Sequence, residues 1–206
     1  MAQSPTGSWI RRYHSLMTVE PLAREILDFW FGPPPHAARA AWFRKDAGFD
    51  ATIADRFGET VDDALDGAFR HWTASPHGTL ARVLLLDQFT RNLFRESPRA
   101  FAGDVDALAM AAAAVDRGDD RALDRFERWF LYMPFEHAEN LDAQERSLAL
   151  FGALAAESGN RGDLEWAEKH AVIIRRFGRF PHRNAVLGRA STTEEVAFLQ
   201  EPGSRF

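Results

Sequence analysis

Helix-start and helix-stop residues punctuate the whole sequence, and patterns typical of β-strands are almost absent. Proline or an N-capping residue precedes most apolar segments, and glycine or proline follows them. Within the segments, apolar residues recur at spacings of three and four, as in Ile53, Phe57 and Val61 after the predicted N-cap Asp50. The pattern predicts an all-α fold, arranged as a single-domain array of antiparallel helix pairs.

The segment from about Thr79 to Phe94 is apolar on most sides, which predicts the central helix of the fold. Farther along, Pro134 is predicted to interrupt one helix shortly before the next begins. Asp163 is predicted to cap the helix that ends at Gly178.

Composition limits the class of protein. The chain has 206 residues, 46% of them hydrophobic and 27% charged, with no Ser/Gly-rich linker, which indicates one globular domain over residues 18–206. Residues 1–17 read as a flexible N-terminal extension, with either Met1 or Met17 as the physiological start. The absence of cysteine excludes disulfides, thiolate zinc sites and cysteine nucleophiles.

Cellular location and macromolecular partners follow from the same inventory. The apolar runs fall short of the roughly 18 residues that a spanning helix needs, and no secretory signal is recognisable. The formal net charge is -5, whereas nucleic-acid-binding domains are usually basic. We therefore expect a cytoplasmic protein that binds neither membranes nor nucleic acid, and the sequence leaves its oligomeric state open.

Four polar residues form a ridge on the predicted central helix. Asp87 and Arg91 are four residues apart, as are Gln88 and Asn92, so their side chains are neighbours on one face. A buried polar ridge must be satisfied by hydrogen bonds or ion pairs. Two interpretations stay open: a structural network between helices, or one wall of a polar pocket.

A second group of polar residues follows Pro134. Glu136, His137 and Glu139 are predicted to begin the next helix, where the helix dipole favours carboxylates. Histidine and carboxylates are also metal ligands. However, the chain contains neither a Glu-x-x-His nor a His-Glu-x-x-His spacing, so the sequence predicts no metal and no cofactor.

The segment from Lys169 to Thr193 contains five arginines and no Asp or Glu, although the chain as a whole is acidic. Its arginines are Arg175, Arg176, Arg179, Arg183 and Arg189. The first two suit the C-terminal end of a helix.

Arg179, His182 and Arg183 lie beyond the predicted helix end and lack that explanation. Either they pair with Asp87, Glu136 and Glu139 in a buried ionic hub, or their guanidinium groups stay available for a phosphate or carboxylate ligand.

Four ordered motifs support a resemblance to a known family. They are Ile26-Leu-Asp-Phe-Trp-Phe-Gly32, Leu84-Leu-Leu-Asp-Gln-Phe-Thr-Arg-Asn-Leu-Phe-Arg95, Phe130-Leu-Tyr-Met-Pro-Phe-Glu-His-Ala-Glu139 and Arg176-Phe-Gly-Arg-Phe-Pro-His-Arg-Asn184. From about Val19 to Phe198 the chain resembles a largely bacterial family known as a domain of unknown function, catalogue number nine-two-four. The resemblance implies an all-α, tetratricopeptide-repeat-like fold and no established activity.

Two positions depart from that family pattern. Thr90 stands where the family usually has proline, and Ala138 stands where it usually has serine between His137 and Glu139. We therefore predict no serine-based catalysis at position 138.

Three functions remain open at this point. The leading hypothesis is a polar hub that lines a concave surface and binds an anionic small molecule or a peptide carboxylate. The alternatives are a hydrolase-type enzyme acting on a phosphorylated or carboxylated metabolite, and a purely structural interaction scaffold. In the enzyme, Glu136 or His137 would be the general base, and Arg179 and Arg183 would stabilise negative charge. The predicted hub consists of Asp87, Gln88, Arg91, Asn92, Glu136, His137, Glu139, Arg179, His182, Arg183 and Asn184.

Overall fold

The computed structural model describes residues 19–204, and every regular element among them is helical. The predicted extension over residues 1–17 lies outside this range. The α-helices are α1 (Pro21–Phe31), α2 (Ala47–Leu65), α3 (Pro76–Val83), α4 (Thr90–Leu93), α5 (Asp104–Arg117), α6 (Arg125–His137), α7 (Leu141–Ser158), α8 (Gly162–Phe177) and α9 (Thr193–Phe198). The all-α prediction is confirmed, while the tetratricopeptide-like arrangement stays a prediction.

The central helix is longer than α3 alone. A π-helical segment, Leu84–Phe89, joins α3 to α4 without a break. Every residue over positions 77–90 is buried, and the helix packs against α1, α2, α5 and α6. This confirms its predicted central place. The wider π turn lies at the positions of Asp87 and Gln88, and such turns are frequent at functional sites.

Two predicted helix caps have another role. Helix α2 is capped by Asp46, whose Oδ1 accepts hydrogen bonds from the next turn, so Asp50 lies inside the helix. Helix α8 begins at Gly162, and Asp163 is bound instead by Arg125 of α6, with Nη2 2.5 Å from Oδ1. Both caps were wrongly predicted because a carboxylate in the first turn resembles a cap in sequence while its partner lies on a distant element.

The helices after α5 form antiparallel neighbours. Arg128 near the start of α6 binds Glu157 near the end of α7 at 2.7 Å. Glu145 near the start of α7 binds Arg175 near the end of α8 at 2.6 Å. Two short connections join the three helices, which therefore pack side by side in alternating directions.

The predicted break at Pro134 is wrong. Helix α6 continues through Pro134 to His137, and the next helix starts only after Asn140, whose side chain accepts a hydrogen bond from the amide of Ala143. Glu136 and His137 therefore lie at the C-terminal end of α6. Proline costs the helix one hydrogen bond, and the burial of the surrounding turns on the core compensates for it.

Aromatic rings supply much of the main core. Phe89 lies 5.4 Å from both Trp30 and Phe57 by ring centroids, and Trp30 meets Phe130 edge to face at 5.3 Å. All four side chains are almost fully buried. A smaller cluster of Ile173, Ile174, Phe180 and Phe198 joins α8 to the C-terminal part of the chain. Among the described residues, no helix is long and apolar enough to cross a membrane.

Candidate functional site

A cavity of about 590 Å³ lies between the loop after α1, the central helix, α6 and α8. Five of the predicted hub residues line it: Gln88, Arg91, Asn92, Glu136 and His137. Asp87 lies directly behind them and is fully buried. The structure therefore brings the first two sequence motifs together, with the ridge of the central helix facing the end of α6.

Asp87 and His137 form a hydrogen-bonded pair at the floor of this cavity, with Oδ1 2.7 Å from Nδ1. Burial acts to raise the pKa of Asp87, but Arg91 and His137 outweigh it and hold that pKa well below its usual range. Burial lowers the pKa of His137, so the ring is neutral. Because an ionised carboxylate only accepts hydrogen bonds, Nδ1 carries the hydrogen and Nε2 carries the lone pair.

A second pair, Glu136 and His170, lies beside the first. Burial, together with the charge of Asp87, raises the pKa of Glu136 to about 8, so this acid is mostly protonated at neutral pH. Burial, together with His137, lowers the pKa of His170 to about 3. Nδ1 of the neutral His170 lies 2.8 Å from the carbonyl oxygen of Trp166 and 3.1 Å from Oε1 of Glu136. The hydrogen bond of this nitrogen is made with the carbonyl oxygen, and Oε1 of Glu136 lies beside it.

The other carboxyl oxygen of Glu136, Oε2, is buried and has no hydrogen-bond partner among residues 19–204. A protonated carboxyl group at this place can donate a hydrogen bond to a ligand in the cavity. The floor thus combines one neutral base, His137, with one neutral acid, Glu136, at adjacent positions. Pairs of groups whose environments push their pKa values apart are typical of acid–base sites.

Arg91 joins the cavity floor to the arginine-rich segment. Its Nη1 lies 3.2 Å from Oδ1 of Asp87 and 2.9 Å from Oδ1 of Asp104, and it also donates to the backbone oxygen of Asp87. Arg183 reaches the other oxygen of Asp104 at 3.4 Å, and its guanidinium lies 4.7 Å from the ring centre of Phe101. Burial and Arg91 lower the pKa of Arg183 to about 10, which leaves it cationic at neutral pH. Both arginines are therefore held by internal acids.

Arg179 belongs to a different group. Its guanidinium binds Glu195 through two nitrogens, at 2.6 and 2.8 Å, and donates to the backbone oxygen of Ala190. The hydrogen bonds of Arg179 are thus made with the start of α9 and not with the three acids that sequence reasoning considered. Arg179 follows α8 directly and Glu195 lies in the first turn of α9, so the contact joins these two elements.

Three further predicted residues belong to the segment between α8 and α9 or contact it. Glu139 accepts a hydrogen bond from the backbone amide of Phe180 at 2.7 Å and is held by Arg189 at 2.6 Å. Burial acts to raise the pKa of Glu139, but Arg189 and the amide lower it overall. Asn184 accepts from Nε of Arg189 at 3.0 Å, and His182 lies 5.6 Å from the ring of Phe180. These residues hold the loop in place and do not line the cavity.

The remaining lining residues of the cavity are apolar or basic. The large apolar ones are Trp42, Phe43, Trp129, Met133 and Trp166. The basic ones are Arg44, Lys45 and Arg95. Arg95 is bound by Asp50, with contacts of 2.6 and 2.8 Å, and Asn92 donates to the same carboxylate at 2.7 Å. Arg44 is exposed and makes no hydrogen bond or ion pair with the described residues.

Sequence reasoning missed several members of this site. Arg95 follows Arg91 at helical spacing, so the i, i+4 rule could have found it. Asp104, Trp42 and His170 come from separate elements, and no spacing in the sequence links them to the central helix. Their place in the site depends entirely on how the helices pack.

Fold and site together define an all-α protein with a buried acid–base cluster at the floor of an aromatic-walled cavity. A family model described as a bacterial protein of unknown function, DUF924, matches residues 26–203. The chain belongs to this family. The earlier resemblance is thereby confirmed.

One solved structure is similar to this chain. It is that of a protein of unknown function from Agrobacterium tumefaciens, with 41% identity and a TM-score of 0.78. The match covers 87% of this chain and 97% of the other. No sequence among curated proteins matches this chain significantly.

Proposed function

We propose that the cavity binds a small anionic molecule with an apolar or aromatic body. The observation that carries this proposal is the lining itself, in which an aromatic wall, a hydrogen-bonding floor and a basic rim meet around about 590 Å³. That volume is within the usual range for small-molecule sites, which are mostly apolar with a few converging polar groups.

The charge balance of the lining favours an anion over a cation. Arg44, Lys45, Arg91 and Arg95 are cationic, while the single acid of the lining, Glu136, is mostly protonated at neutral pH. Arg91 and Arg95 are neutralised by acids behind the wall and Lys45 lies 3.5 Å from Glu96, which leaves Arg44 to provide most of the attraction at the rim. A ligand carboxylate or phosphate at the rim places the body of the ligand against the tryptophans.

A matched pair of charge reversals tests this proposal. Arg44→Glu places a negative charge on the cavity rim, and Arg121→Glu places the same charge at an exposed position that does not line the cavity. A thermal-shift screen of carboxylated and phosphorylated aromatic metabolites should find compounds that raise the melting temperature of the wild type. Arg44→Glu should reduce that rise, and Arg121→Glu should leave it unchanged. Equal responses in the two variants would place the bound anion elsewhere.

A second candidate function is an enzyme in which His137 acts as general base. The 2.7 Å contact between Asp87 and His137 favours it, because this contact fixes the ring with its basic nitrogen available. Protonated Glu136 would serve as general acid. Since Ala138 replaces the serine of the family pattern, water is the nucleophile that such a base would activate.

The enzyme hypothesis has its own test. Wild-type protein and His137→Gln are assayed on a panel of ester and phosphate substrates, starting from compounds that the thermal-shift screen identifies. Loss of turnover in His137→Gln with unchanged binding supports general-base chemistry. Binding without turnover in the wild type leaves the cavity as a binding site alone. In either function, Arg179 is outside the cavity, so Arg179→Ala should not alter ligand affinity.

A further inference from the structure

We propose that His36, Asp124 and Glu127 form a binding site for a divalent transition-metal ion such as Zn²⁺. The three ligands come from two separate parts of the chain. His36 lies in the loop after α1 and the two acids lie at the N-terminal end of α6, while His77, in the first turn of α3, lies beside Glu127. Neutral imidazole nitrogens and carboxylate oxygens are ligands that Zn²⁺ and its neighbours bind.

Distances among the ligand atoms support the site. The candidate ligand atoms of His36, Asp124 and Glu127 all lie within 4.8 Å of one another. Oε1 of Glu127 is 3.4 Å from Nε2 of His77 and 3.9 Å from Nδ1 of His36. Ligand atoms around a tetrahedral Zn²⁺ with bonds of about 2.0–2.2 Å are roughly 3.3–3.6 Å apart. The 3.9 Å distance lies a few tenths of an ångström outside this range, and the 2.7 Å distance between Nδ1 of His36 and Oδ2 of Asp124 has to widen by about 0.6 Å to admit the ion.

Backbone hydrogen bonds fix the orientation of the two candidate carboxylate ligands. Asp124 and Glu127 form a capping box, in which Oδ1 of Asp124 accepts from the amide of Glu127 at 3.0 Å and Oε2 of Glu127 accepts from the amide of Asp124 at 2.7 Å. One oxygen of each acid is thereby used by the backbone, and the other faces the histidines. Hydrogen bonds that fix metal-ligating carboxylates in this way are typical of metal sites.

The position of the His36 ring is also compatible with a metal ligand. Its Nδ1 lies 2.7 Å from Oδ2 of Asp124, but without the alignment of a hydrogen bond. Binding of an ion by this nitrogen therefore breaks no hydrogen bond with that carboxylate. The ring is stacked on Phe31 at 5.2 Å, and its side chain is 9% exposed, so the site is rigid and still has contact with solvent.

The proposed ion would tie α6 to the loop after α1. The same loop continues into Trp42, Phe43, Arg44 and Lys45 of the cavity. The metal proposal rests on its own residues, none of which lines the cavity, and does not depend on the proposed function. It replaces the expectation from the sequence that the protein binds no metal.

Zinc titration of untagged protein, freed of metal by a chelator, tests the site. The wild type should bind one Zn²⁺ per chain by calorimetry, and Co²⁺ bound in its place should give the visible absorption of a tetrahedral site. His36→Ala should weaken Zn²⁺ binding at least tenfold. His71→Ala removes an exposed histidine outside the cluster and should leave binding unchanged.

A second variant guards against effects on folding. Asp124→Asn retains a good N-capping residue but loses the ligand charge, so it should also weaken binding at least tenfold while keeping a folded circular dichroism spectrum. At a free Zn²⁺ concentration of about 100 times Kd, the melting temperature of the wild type should rise by roughly 5–10 °C. Fewer than one ion per chain, or equal affinity in His36→Ala and His71→Ala, would overturn the proposal.

Discussion

Replacing Glu136 with glutamine tests the protonation of the cavity floor. Glutamine has nearly the shape of a protonated glutamate but cannot ionise. In the wild type, the pKa of Glu136 is raised by burial from 4.5 to about 8, so the folded state holds a proton that the unfolded state releases. This contribution to stability is fully present below pH 4.5 and is lost as the pH rises towards 8.

The magnitude follows from the pKa. Each pH unit over which only the folded state holds the proton changes the free energy of unfolding by about 1.4 kcal/mol. Between pH 5 and pH 8, the wild type should therefore lose about 3–4 kcal/mol relative to Glu136→Gln. The neighbouring His170, whose pKa is lowered to about 3, contributes stability above pH 6.5 that is lost on acidification. That contribution is common to both proteins and cancels in the difference.

Urea unfolding followed by tryptophan fluorescence, at several pH values from 5 to 8, measures the difference. Glu139→Gln is the matched control, because the pKa of Glu139 is lowered below 4.5 by Arg189 and the acid is ionised throughout this range. Its stability gap from the wild type should stay nearly constant. If Glu136→Gln and the wild type had parallel pH profiles, Glu136 would be ionised in the folded protein and the reasoning would be refuted.

Further predictions concern packing and the buried ion pair. Gly103→Ala should destabilise the protein by about 2–3 kcal/mol, because an added Cβ would overlap the backbone oxygen of Leu86. Gly152 lies in a helix with open space around it, so Gly152→Ala should stabilise the protein by about 0.5–1 kcal/mol. Equal effects of the two substitutions in chemical denaturation would contradict the close contact at Gly103. Phe89→Ala should cost about 3–5 kcal/mol in the same assay, since the ring is fully buried among aromatic neighbours; a loss under 1 kcal/mol would argue against the aromatic core. Asp87→Asn should cost about 1–3 kcal/mol at pH 7, because the half-buried Arg91 loses one of its two acid partners and keeps Asp104. An unchanged melting temperature would count against the contribution of that pair.

Local patterns predicted the helices well because the forces behind them act over a few residues. The apolar face of the central helix is visible in the sequence from Leu80 to Leu93, and the stop at Gly32 has a positive φ of 76°, which glycine adopts without strain. The errors at Asp50, Asp163 and Pro134 have a common origin. In each case a locally plausible cap or break was overridden by a contact with, or burial against, an element far away in the chain.

The sequence by itself determined that this protein is all-α and that Asp87 and Arg91 are neighbours on one helix face, and it named Glu136 and His137 as candidate site residues. Only the tertiary structure decided which acid contacts which histidine or arginine. Asp87 contacts His137, 50 residues away in the sequence, and Asp104 contacts Arg183, 79 residues away. Helix periodicity and capping depend on neighbours along the chain, whereas pairing of buried charges depends on helix packing, which brings together residues that no local pattern connects.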